Sequence, residues 1–406
     1  MNYIEAKSGI SRGSLPEPYL VSLYRVLSPY RGCGHGCRYC DGRAEKYFVE
    51  GDFEKDILVR ENLNIFISSQ IAEGYPSKEW GAFCMSSGVT DIYQPLEKEL
   101  QLTRKTLEAL IPSELPVVIL TKNALIERDF DLLERFPQAL VILTITTVNE
   151  NHSKLLEPNA SSPAERLETI KKARLRGFHA GIMAMPLCPG ISAEPESVRA
   201  LFDSCEASGA DFIYPGGLTL RPGCQKEEFK SLLEKDYAHL LPLYESVYCE
   251  NRPSGMPRKD YSFPFMKNWD ADLRRRSIPQ MIPHTVYKDL LSPPDSMFVL
   301  LCHMQSLYMS RNINVRPLKD ATDLFSLWLK TERTTLRRKR IKTVSSDPFP
   351  ITRILTEKFN SLCENKGTEL EKILKNKKLS SLLSEIHTSQ LVFNYSKLCA
   401  EKPVNL

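Results

Sequence analysis

The sequence predicts an α/β protein: a partial (β/α)6 TIM-like barrel over residues 21–245, with an N-terminal arm (1–20) and a mainly helical C-terminal appendage (246–406). Three observations predict this fold. Short apolar runs alternate with amphipathic runs, which is the pattern of a parallel sheet covered by helices. A cysteine-rich loop follows the first apolar run, at the strand end where barrels carry their chemistry. The alternation stops near residue 245.

Six strand and helix units account for the predicted barrel. The predicted strands are residues 22–27, 82–86, 116–121, 140–145, 179–184 and 212–214. The predicted helices are residues 56–73, 95–111, 125–135, 162–176 and 195–208. In the appendage, helical patterns cover residues 295–311, 320–330 and 350–402. A flat doubly wound sheet shows the same alternation, so this pattern alone does not choose the barrel.

Composition and charge limit the class of protein. The 406 residues are 42% hydrophobic, which is enough for a sizeable core, and the net charge of +4 does not indicate bulk binding to nucleic acid. The first residues lack a basic region followed by an apolar run, and no window approaches the roughly 20 apolar residues of a membrane helix. We therefore expect a cytoplasmic protein without membrane contact, whose 11 cysteines stay reduced. The oligomeric state stays open.

The loop at residues 28–40 reads SPYRGCGHGCRYC and holds three cysteines spaced Cys-x3-Cys-x2-Cys. Thiolates suit iron–sulfur clusters, and a cubane cluster normally takes four cysteines, so three would leave one iron open to a ligand. The glycines give the backbone freedom to turn three sulfurs toward one centre. Two alternatives remain at this point: buried structural cysteines, and a Cys3His zinc site that includes His35.

This loop resembles the signature of the radical S-adenosylmethionine enzymes, in which an aromatic residue precedes the third cysteine. The longer run from Ser28 to Cys40 is similar to the branch related to spore photoproduct lyase. The resemblance implies the partial barrel, and it implies that Cys33, Cys37 and Cys40 are the catalytic residues that hold a 4Fe–4S cluster. It further implies that S-adenosylmethionine binds the open iron and is cleaved reductively to a 5′-deoxyadenosyl radical, which abstracts hydrogen from a substrate. A reductant such as flavodoxin or ferredoxin would supply the electron.

The same resemblance implies a set of cofactor contacts at the ends of the predicted strands. These residues are Tyr39, Ser87, Thr90, Asp91, Lys122, Thr146 and Arg166. A lysine beside the cofactor carboxylate would form a charge-assisted hydrogen bond. The segment from Ser86 to Glu97 also has the residue types of a capped turn, so a purely structural use stays open there. Glu157 would orient the ribose or Arg166, and a local salt bridge is an equal alternative.

A strongly basic run in the appendage supports one hypothesis about the partner. Its cations are Arg333, Arg337, Arg338, Lys339, Arg340 and Lys342. Such a run is usually a solvated face, but beside a lyase-like core it suggests contact with a nucleic-acid backbone. The substrate hypotheses are therefore a nucleic acid, as in DNA repair, or alternatively a protein or small molecule. A non-catalytic zinc module is the remaining alternative.

The resemblance has two departures. Asp41 follows Cys40, where relatives often carry an aromatic residue. The hydrogen-donating cysteine of the lyase is missing before Thr90, since the nearest cysteine is Cys84. The sequence therefore does not support thymine-dimer reversal by that thiol route, and fold and cofactor do not fix a substrate.

Overall fold

The computed structural model describes residues 2–49, 51–76, 78–339, 341–344 and 346–403. Its strands are β1 (Asn2–Tyr3), β2 (Ile10–Glu17), β3 (Ser22–Val26), β4 (Tyr30–Arg31), β5 (Leu58–Val59), β6 (Phe83–Met85), β7 (Val117–Thr121), β8 (Ala139–Thr144), β9 (His179–Leu187), β10 (Ile213–Gly217), β11 (Val392–Asn394) and β12 (Cys399–Glu401). Its helices are α1 (Leu63–Ala72), α2 (Glu97–Leu100), α3 (Leu102–Leu110), α4 (Phe130–Leu133), α5 (Glu150–Leu156), α6 (Pro163–Leu175), α7 (Pro195–Ala207), α8 (Cys224–Asp236), α9 (Leu241–Val247), α10 (Lys259–Arg275), α11 (His284–Tyr287), α12 (Pro293–Ser310), α13 (Arg316–Arg338), α14 (Pro350–Leu374) and α15 (Lys377–Thr388). Short 3₁₀ helices lie at Asp41–Arg43, Glu45–Tyr47, Ile111–Ser113, Ala124–Asp129 and Ala238–Leu240.

The main sheet contains seven strands in the order β10-β9-β8-β7-β6-β3-β2. Strands β3, β6, β7, β8, β9 and β10 are parallel, and β2 pairs antiparallel with β3 at one edge. Strands β6, β7 and β8 are buried on both faces, which explains their continuous apolar sequences. This parallel sheet with its helical C-terminal region confirms the predicted α/β fold class, with a sheet that is a partial barrel and not a closed one.

Strand β2 differs from the sequence expectation, which assigns residues 1–20 to an arm. Residues 10–17 pair with β3, with a register shift between Arg12 and Glu17. Gly13 and Pro16 lie inside this strand and break the alternating pattern by which strands are recognised. Because Pro cannot donate to a ladder, its place on an edge strand is the expected one.

The turn between β2 and β3 connects the two edges of the sheet. The ring of Tyr19, in this turn, packs edge-on against Tyr214 of β10 with centroids 5.0 Å apart. The Tyr19 hydroxyl also donates to Met185 Sδ of β9 at 2.8 Å. The strands at opposite ends of the sheet order are therefore close in space, as a curled sheet requires.

The convex face of the sheet carries the amphipathic helices of the repeating units. Apolar residues of this face, such as Phe83 and Val117, share a buried cluster with Leu107 of α3 and Phe202 of α7. Helices between parallel strands must pack back onto the sheet, so these helices form its outer layer.

The concave face is filled by the C-terminal region. Val118, Leu140 and Ile142 point to this side and share a buried cluster with Phe298 of α12 and Phe325 of α13. Side chains alternate between the faces along each strand, so neighbouring residues join different clusters. Among the described residues, no helix is both long enough and apolar enough to cross a membrane.

Helix α12 also holds the β2–β3 turn in place. His303 Nε2 lies 2.8 Å from the Pro18 carbonyl oxygen, and its Nδ1 lies 2.9 Å from the Tyr395 hydroxyl. Burial lowers the pKa of His303 to about 4, so the ring is neutral. Because a carbonyl can only accept, Nε2 carries the proton and donates to Pro18, and Nδ1 accepts from Tyr395.

For two residues of the basic run, both in α13, the prediction of a nucleic-acid contact is wrong. Arg333 is 2% exposed, donates to both oxygens of Asp295 at 2.7 Å, and lies 2.9 Å from Glu79. Arg337, one helical turn later, lies 2.6 Å from Glu79. Both guanidinium groups also donate to backbone carbonyls of β2 and therefore anchor the helix to that strand. Of the other predicted contacts, Arg338, Lys339 and Lys342 are exposed, and Arg340 lies outside the described residues.

Candidate active site

The cysteine loop follows β3 and includes β4. Cys33, Cys37 and Cys40 all line one cavity of about 820 Å³, which we call the central cavity. The loop needs glycine at two positions with positive φ, 85° at Gly32 and 68° at Gly36. A Cβ at Gly36 would also lie 2.8 Å from a carboxylate oxygen of Glu54. The backbone freedom of glycine thus turns three sulfurs toward a common space.

The three thiols fit a positively charged metal cluster. Burial raises the pKa of each of them, and for Cys33 the carboxylate of Asp91 adds to this effect. Thiolates in this loop therefore need a cationic centre beside them, and the iron of a cluster would be such a centre. Within the described ranges, no three His, Cys, Asp or Glu side chains are grouped to hold a single metal ion. In a cubane each ligand sulfur binds a different iron, so the sulfurs do not meet at one point.

Thr90 and Gln94 hold the backbone of the cysteine loop. Thr90 Oγ1 donates to the Gly32 carbonyl at 2.6 Å, and Gln94 Nε2 donates to the same oxygen at 3.2 Å. Gln94 Oε1 accepts the Gly34 amide at 2.8 Å. The hydroxyl of Thr90 is thus engaged with the loop backbone. Gln94, which is fully buried, was missed by sequence reasoning, because it contacts a glycine that lies 60 residues away in the chain.

Asp91 connects the cysteine loop to the end of β7. Its carboxylate accepts the Thr121 hydroxyl at 2.7 Å and the Lys122 amide at 2.8 Å, and it lies 3.5 Å from His35 Nε2. Burial opposes ionisation, but the neighbouring His35 and the donors Thr121 and Tyr93 lower the pKa of Asp91 overall. His35 itself is buried, and its Nδ1 lies 3.1 Å from the Asn159 carbonyl. It therefore fixes the loop against residues that follow α5.

Four of the predicted cofactor contacts converge on Glu157. Its carboxylate accepts from the Tyr39 hydroxyl, from Arg166 at 2.5 Å and from Thr146 at 3.3 Å, and Lys122 Nζ lies 3.6 Å away. Burial favours the protonated acid, but the charges of Arg166 and Lys122 and the hydrogen bonds lower the pKa of Glu157 to about 2. This group, named the Glu157 network, is a buried ionic cluster behind the cavity wall.

Arg166 acts within this network and not at the cavity surface. It is fully buried, and its Nη1 donates to the Thr144 carbonyl at 2.6 Å. Of the alternatives for Glu157, the structure favours orientation of Arg166 by a buried salt bridge. Tyr39 and Thr146 likewise point to Glu157, whereas Lys122 both contacts the network and lines the central cavity. Its Nζ lies 5.3 Å from the centre of the Tyr39 ring.

Asp41 shows how this chain accommodates its departure after the third cysteine. Its Oδ1 accepts Arg221 Nε at 2.5 Å, and its Oδ2 accepts the Tyr47 hydroxyl at 2.7 Å. Burial opposes ionisation, but these hydrogen bonds lower the pKa of Asp41. The carboxylate thus joins the cysteine loop to the segment after β10, where a packed aromatic ring would make apolar contacts instead.

The wall of the central cavity combines predicted and unpredicted residues. Of the predicted cofactor contacts, Ser87, Thr90, Asp91 and Lys122 line it together with the three cysteines. Residues that sequence reasoning missed form another part of the wall: Glu17, Tyr19, Ser22, Arg25 and Met185. Their only signal in the sequence is their place on or beside strands of the barrel, which does not by itself show which side chains face inward.

Comparison with known proteins gives consistent matches. The model of the Radical SAM superfamily matches residues 27–201. An uncharacterized protein of Methanocaldococcus jannaschii is 30% identical over 235 residues, which cover 58% of this chain and 82% of that protein. An uncharacterized protein of Mycobacterium tuberculosis is 26% identical over 250 residues, which cover 60% and 72% respectively. Spore photoproduct lyase complexed with dinucleoside spore photoproduct aligns with a TM-score of 0.43 at 15% identity, over 57% of this chain and 66% of that one.

Proposed function

The chain belongs to the radical SAM superfamily, and we propose that it cleaves S-adenosylmethionine reductively on a 4Fe–4S cluster and abstracts hydrogen from a substrate. One observation carries this proposal: Cys33, Cys37 and Cys40 line the same cavity as Lys122. That cavity offers sulfur ligands for a cluster and a cation for the carboxylate of the cofactor in one place.

The residues of this chain would divide the work as follows. When bound, the cluster supplies the electron that cleaves the sulfonium compound to methionine and a 5′-deoxyadenosyl radical. The three cysteines hold iron, and Lys122 binds the methionyl carboxylate by a charge-assisted hydrogen bond. Glu157 and Tyr39 fix the position of Lys122, because its Nζ lies beside both.

The predicted polar contacts take more specific roles in this proposal. Thr90 fixes the cysteine loop through the Gly32 carbonyl, and Thr146 acts through Glu157. Arg166 keeps Glu157 ionised. Ser87 and Asp91 lie on the wall, where Ser87 Oγ accepts the Val89 amide at 3.3 Å and retains its hydroxyl proton for a ligand.

The decisive experiment is the release of 5′-deoxyadenosine. Protein with a reconstituted cluster, kept free of oxygen and given dithionite and S-adenosylmethionine, should form it. Cys37→Ala should abolish both the cluster and the product, whereas Cys249→Ser, which alters an exposed cysteine outside the cavity, should change neither. Cluster-replete protein that forms no 5′-deoxyadenosine would defeat the proposal. Stoichiometric zinc without iron and sulfide would favour the zinc-module alternative.

Two candidate substrate classes can be distinguished by experiment. A nucleic acid remains a candidate through the branch resemblance and the exposed cations Arg338, Lys339 and Lys342. The alternative is a protein or small molecule. Binding to DNA or RNA that weakens with added salt, and that Arg338→Glu with Lys339→Glu further weakens, would favour the first. The electron donor, proposed as flavodoxin or ferredoxin, can be tested by replacing dithionite with either reduced protein.

A further inference from the structure

One charged side chain on the wall of the central cavity makes no ion pair and no hydrogen bond with the residues that the structure describes. This is Arg25 of β3, which is exposed and lines the cavity. It pairs in register with Cys84 of β6, whose side chain lines the same wall. A guanidinium group has five donors in a planar arrangement that fits two oxygens of one anion.

The carboxylates of the wall and its lysine each have a hydrogen-bond or ion-pair partner. Glu17 accepts the amides of Tyr19 and Leu20 at 2.8 and 2.7 Å. The remaining pairs are Asp41 with Arg221, Asp91 with Thr121, and Lys122 with Glu157. The cavity therefore contains one cation that the described part of the chain leaves to solvent.

Arg25 lies on a part of the wall that differs from the cysteine loop. It precedes the loop on β3, and the same wall includes Ser22 and Ser86, whose hydroxyls are further donors. Pockets for a single small ligand span roughly 300–1,000 Å³, so a cavity of about 820 Å³ lies near the upper end of that range. Arg25 and these two hydroxyls therefore form a polar part of the wall that is separate from the cysteine loop.

Filling this cavity has a consequence for Arg25. A substrate that displaces water from the wall removes the hydration of the guanidinium group, and a charge without hydration needs a partner. An uncharged substrate would leave the group unpaired, whereas a phosphate or carboxylate would pair with it in a bidentate manner. A substrate that carries an anionic group would therefore be favoured at Arg25 over an uncharged one.

We propose that Arg25 binds an oxyanion, a phosphate or a carboxylate, that the substrate carries, with Ser22 and Ser86 as further donors. This inference rests on the proposed function, because it assumes that the substrate shares the cavity with the cofactor. It adds a charge requirement that neither the cysteine loop nor the cofactor contacts contain.

The test measures protection of Arg25 from chemical modification. Cluster-loaded protein with S-adenosylmethionine, in a buffer without oxyanions, is treated with phenylglyoxal, and peptide mass spectrometry gives the rate at each arginine. Arg199 of α7 is the internal control, because it is also exposed and makes no ion pair or hydrogen bond with the described residues. The series is repeated with increasing inorganic phosphate and with increasing succinate.

The expected result is that one anion slows modification of Arg25 while Arg199 keeps its rate. Protection at lower concentrations of phosphate assigns a phosphoryl substrate, and protection at lower concentrations of succinate assigns a carboxylate. In a separate binding titration with the more effective anion, Arg25→Gln should weaken the affinity at least about tenfold, the loss of one charge-assisted hydrogen bond, and Arg199→Gln should leave it unchanged.

Three results would overturn the proposal: Arg25 that resists phenylglyoxal without any anion, equal rates at Arg25 with and without both anions, and unchanged affinity in Arg25→Gln. The readout is independent of turnover. Native protein that shows protection but forms no 5′-deoxyadenosine refutes the proposed function alone, whereas product formation without protection refutes the Arg25 inference alone.

Discussion

Removal of the charge on Glu157 is the sharpest test of the Glu157 network. Glu157→Gln keeps the size of the side chain but leaves the buried Arg166 without its anion. The pKa of Glu157 falls from an ordinary value near 4.5 to about 2 in the folded protein. A pKa lowered by folding stabilises the folded state above the ordinary value, and this stabilisation is lost as the pH falls through about 2. The shift corresponds to about 3 kcal/mol at pH 7.

A second estimate gives the same size, since removing one partner of a buried ion pair typically costs about 3–5 kcal/mol. Urea unfolding of the metal-free protein at pH 7 and pH 3 measures the effect. We expect Glu157→Gln to lower the unfolding free energy by about 3 kcal/mol at pH 7, and by about half of that or less at pH 3.

The matched control is Glu168→Gln on the same helix as Arg166. Glu168 is 53% exposed and, among the described residues, pairs only with Lys171 at 3.8 Å. Its substitution should change the unfolding free energy by less than about 0.5 kcal/mol at either pH. A loss below about 1 kcal/mol for Glu157→Gln at pH 7, or an equal loss at both pH values, would refute the argument.

Three further predictions concern the helix anchor and the cysteine loop. Arg333→Met should lower the unfolding free energy by about 3–5 kcal/mol because it leaves the buried carboxylate of Asp295 without a cation, whereas Arg338→Met should change it by less than about 0.5 kcal/mol. Urea unfolding compares the two variants, and equal effects would contradict the burial of Arg333. Gln94→Leu removes two hydrogen bonds to the cysteine loop, which together contribute about 2 kcal/mol. The amount of iron and sulfide bound per chain should therefore fall after reconstitution. Full loading would show that the loop does not need this side chain. Gly36→Ala should lower the unfolding free energy by about 1–2 kcal/mol because of the positive φ, and it should also reduce iron loading. The control is Gly177→Ala, which is also at positive φ but has no atom near its Cβ and lies far from the loop, and which should leave iron loading unchanged. Equal loading in the two variants would refute the constraint at Gly36.

The predictable part of this protein is carried by local patterns. The strands β6, β7 and β8 are short and apolar on both faces, so their sequences show them directly. The cysteine spacing and its glycines are likewise local. Helix α10 was missed because Pro264 lies inside it and the preceding segment is rich in proline and glycine.

The unpredictable part depends on distances between residues that are far apart in the chain. Tyr39 and Glu157 are separated by 118 residues, and only the fold brings the hydroxyl to the carboxylate. The basic run shows the same limit. Charge counts describe a helix, but the side on which Arg333 lies is decided by Asp295, 38 residues earlier. Which cationic groups are free is therefore a property of the tertiary structure.

The apolar cluster on the concave face has a consequence for any attempt to shorten the protein. Val118, Leu140 and Ile142 are fully buried in a cluster that includes residues of helices α12 and α13. A truncation after residue 245 would expose this surface to water and would also release the Pro18 carbonyl from His303. We therefore expect the region that carries the cysteine loop and the region that follows it to unfold together, and a fragment made of the barrel strands alone to aggregate.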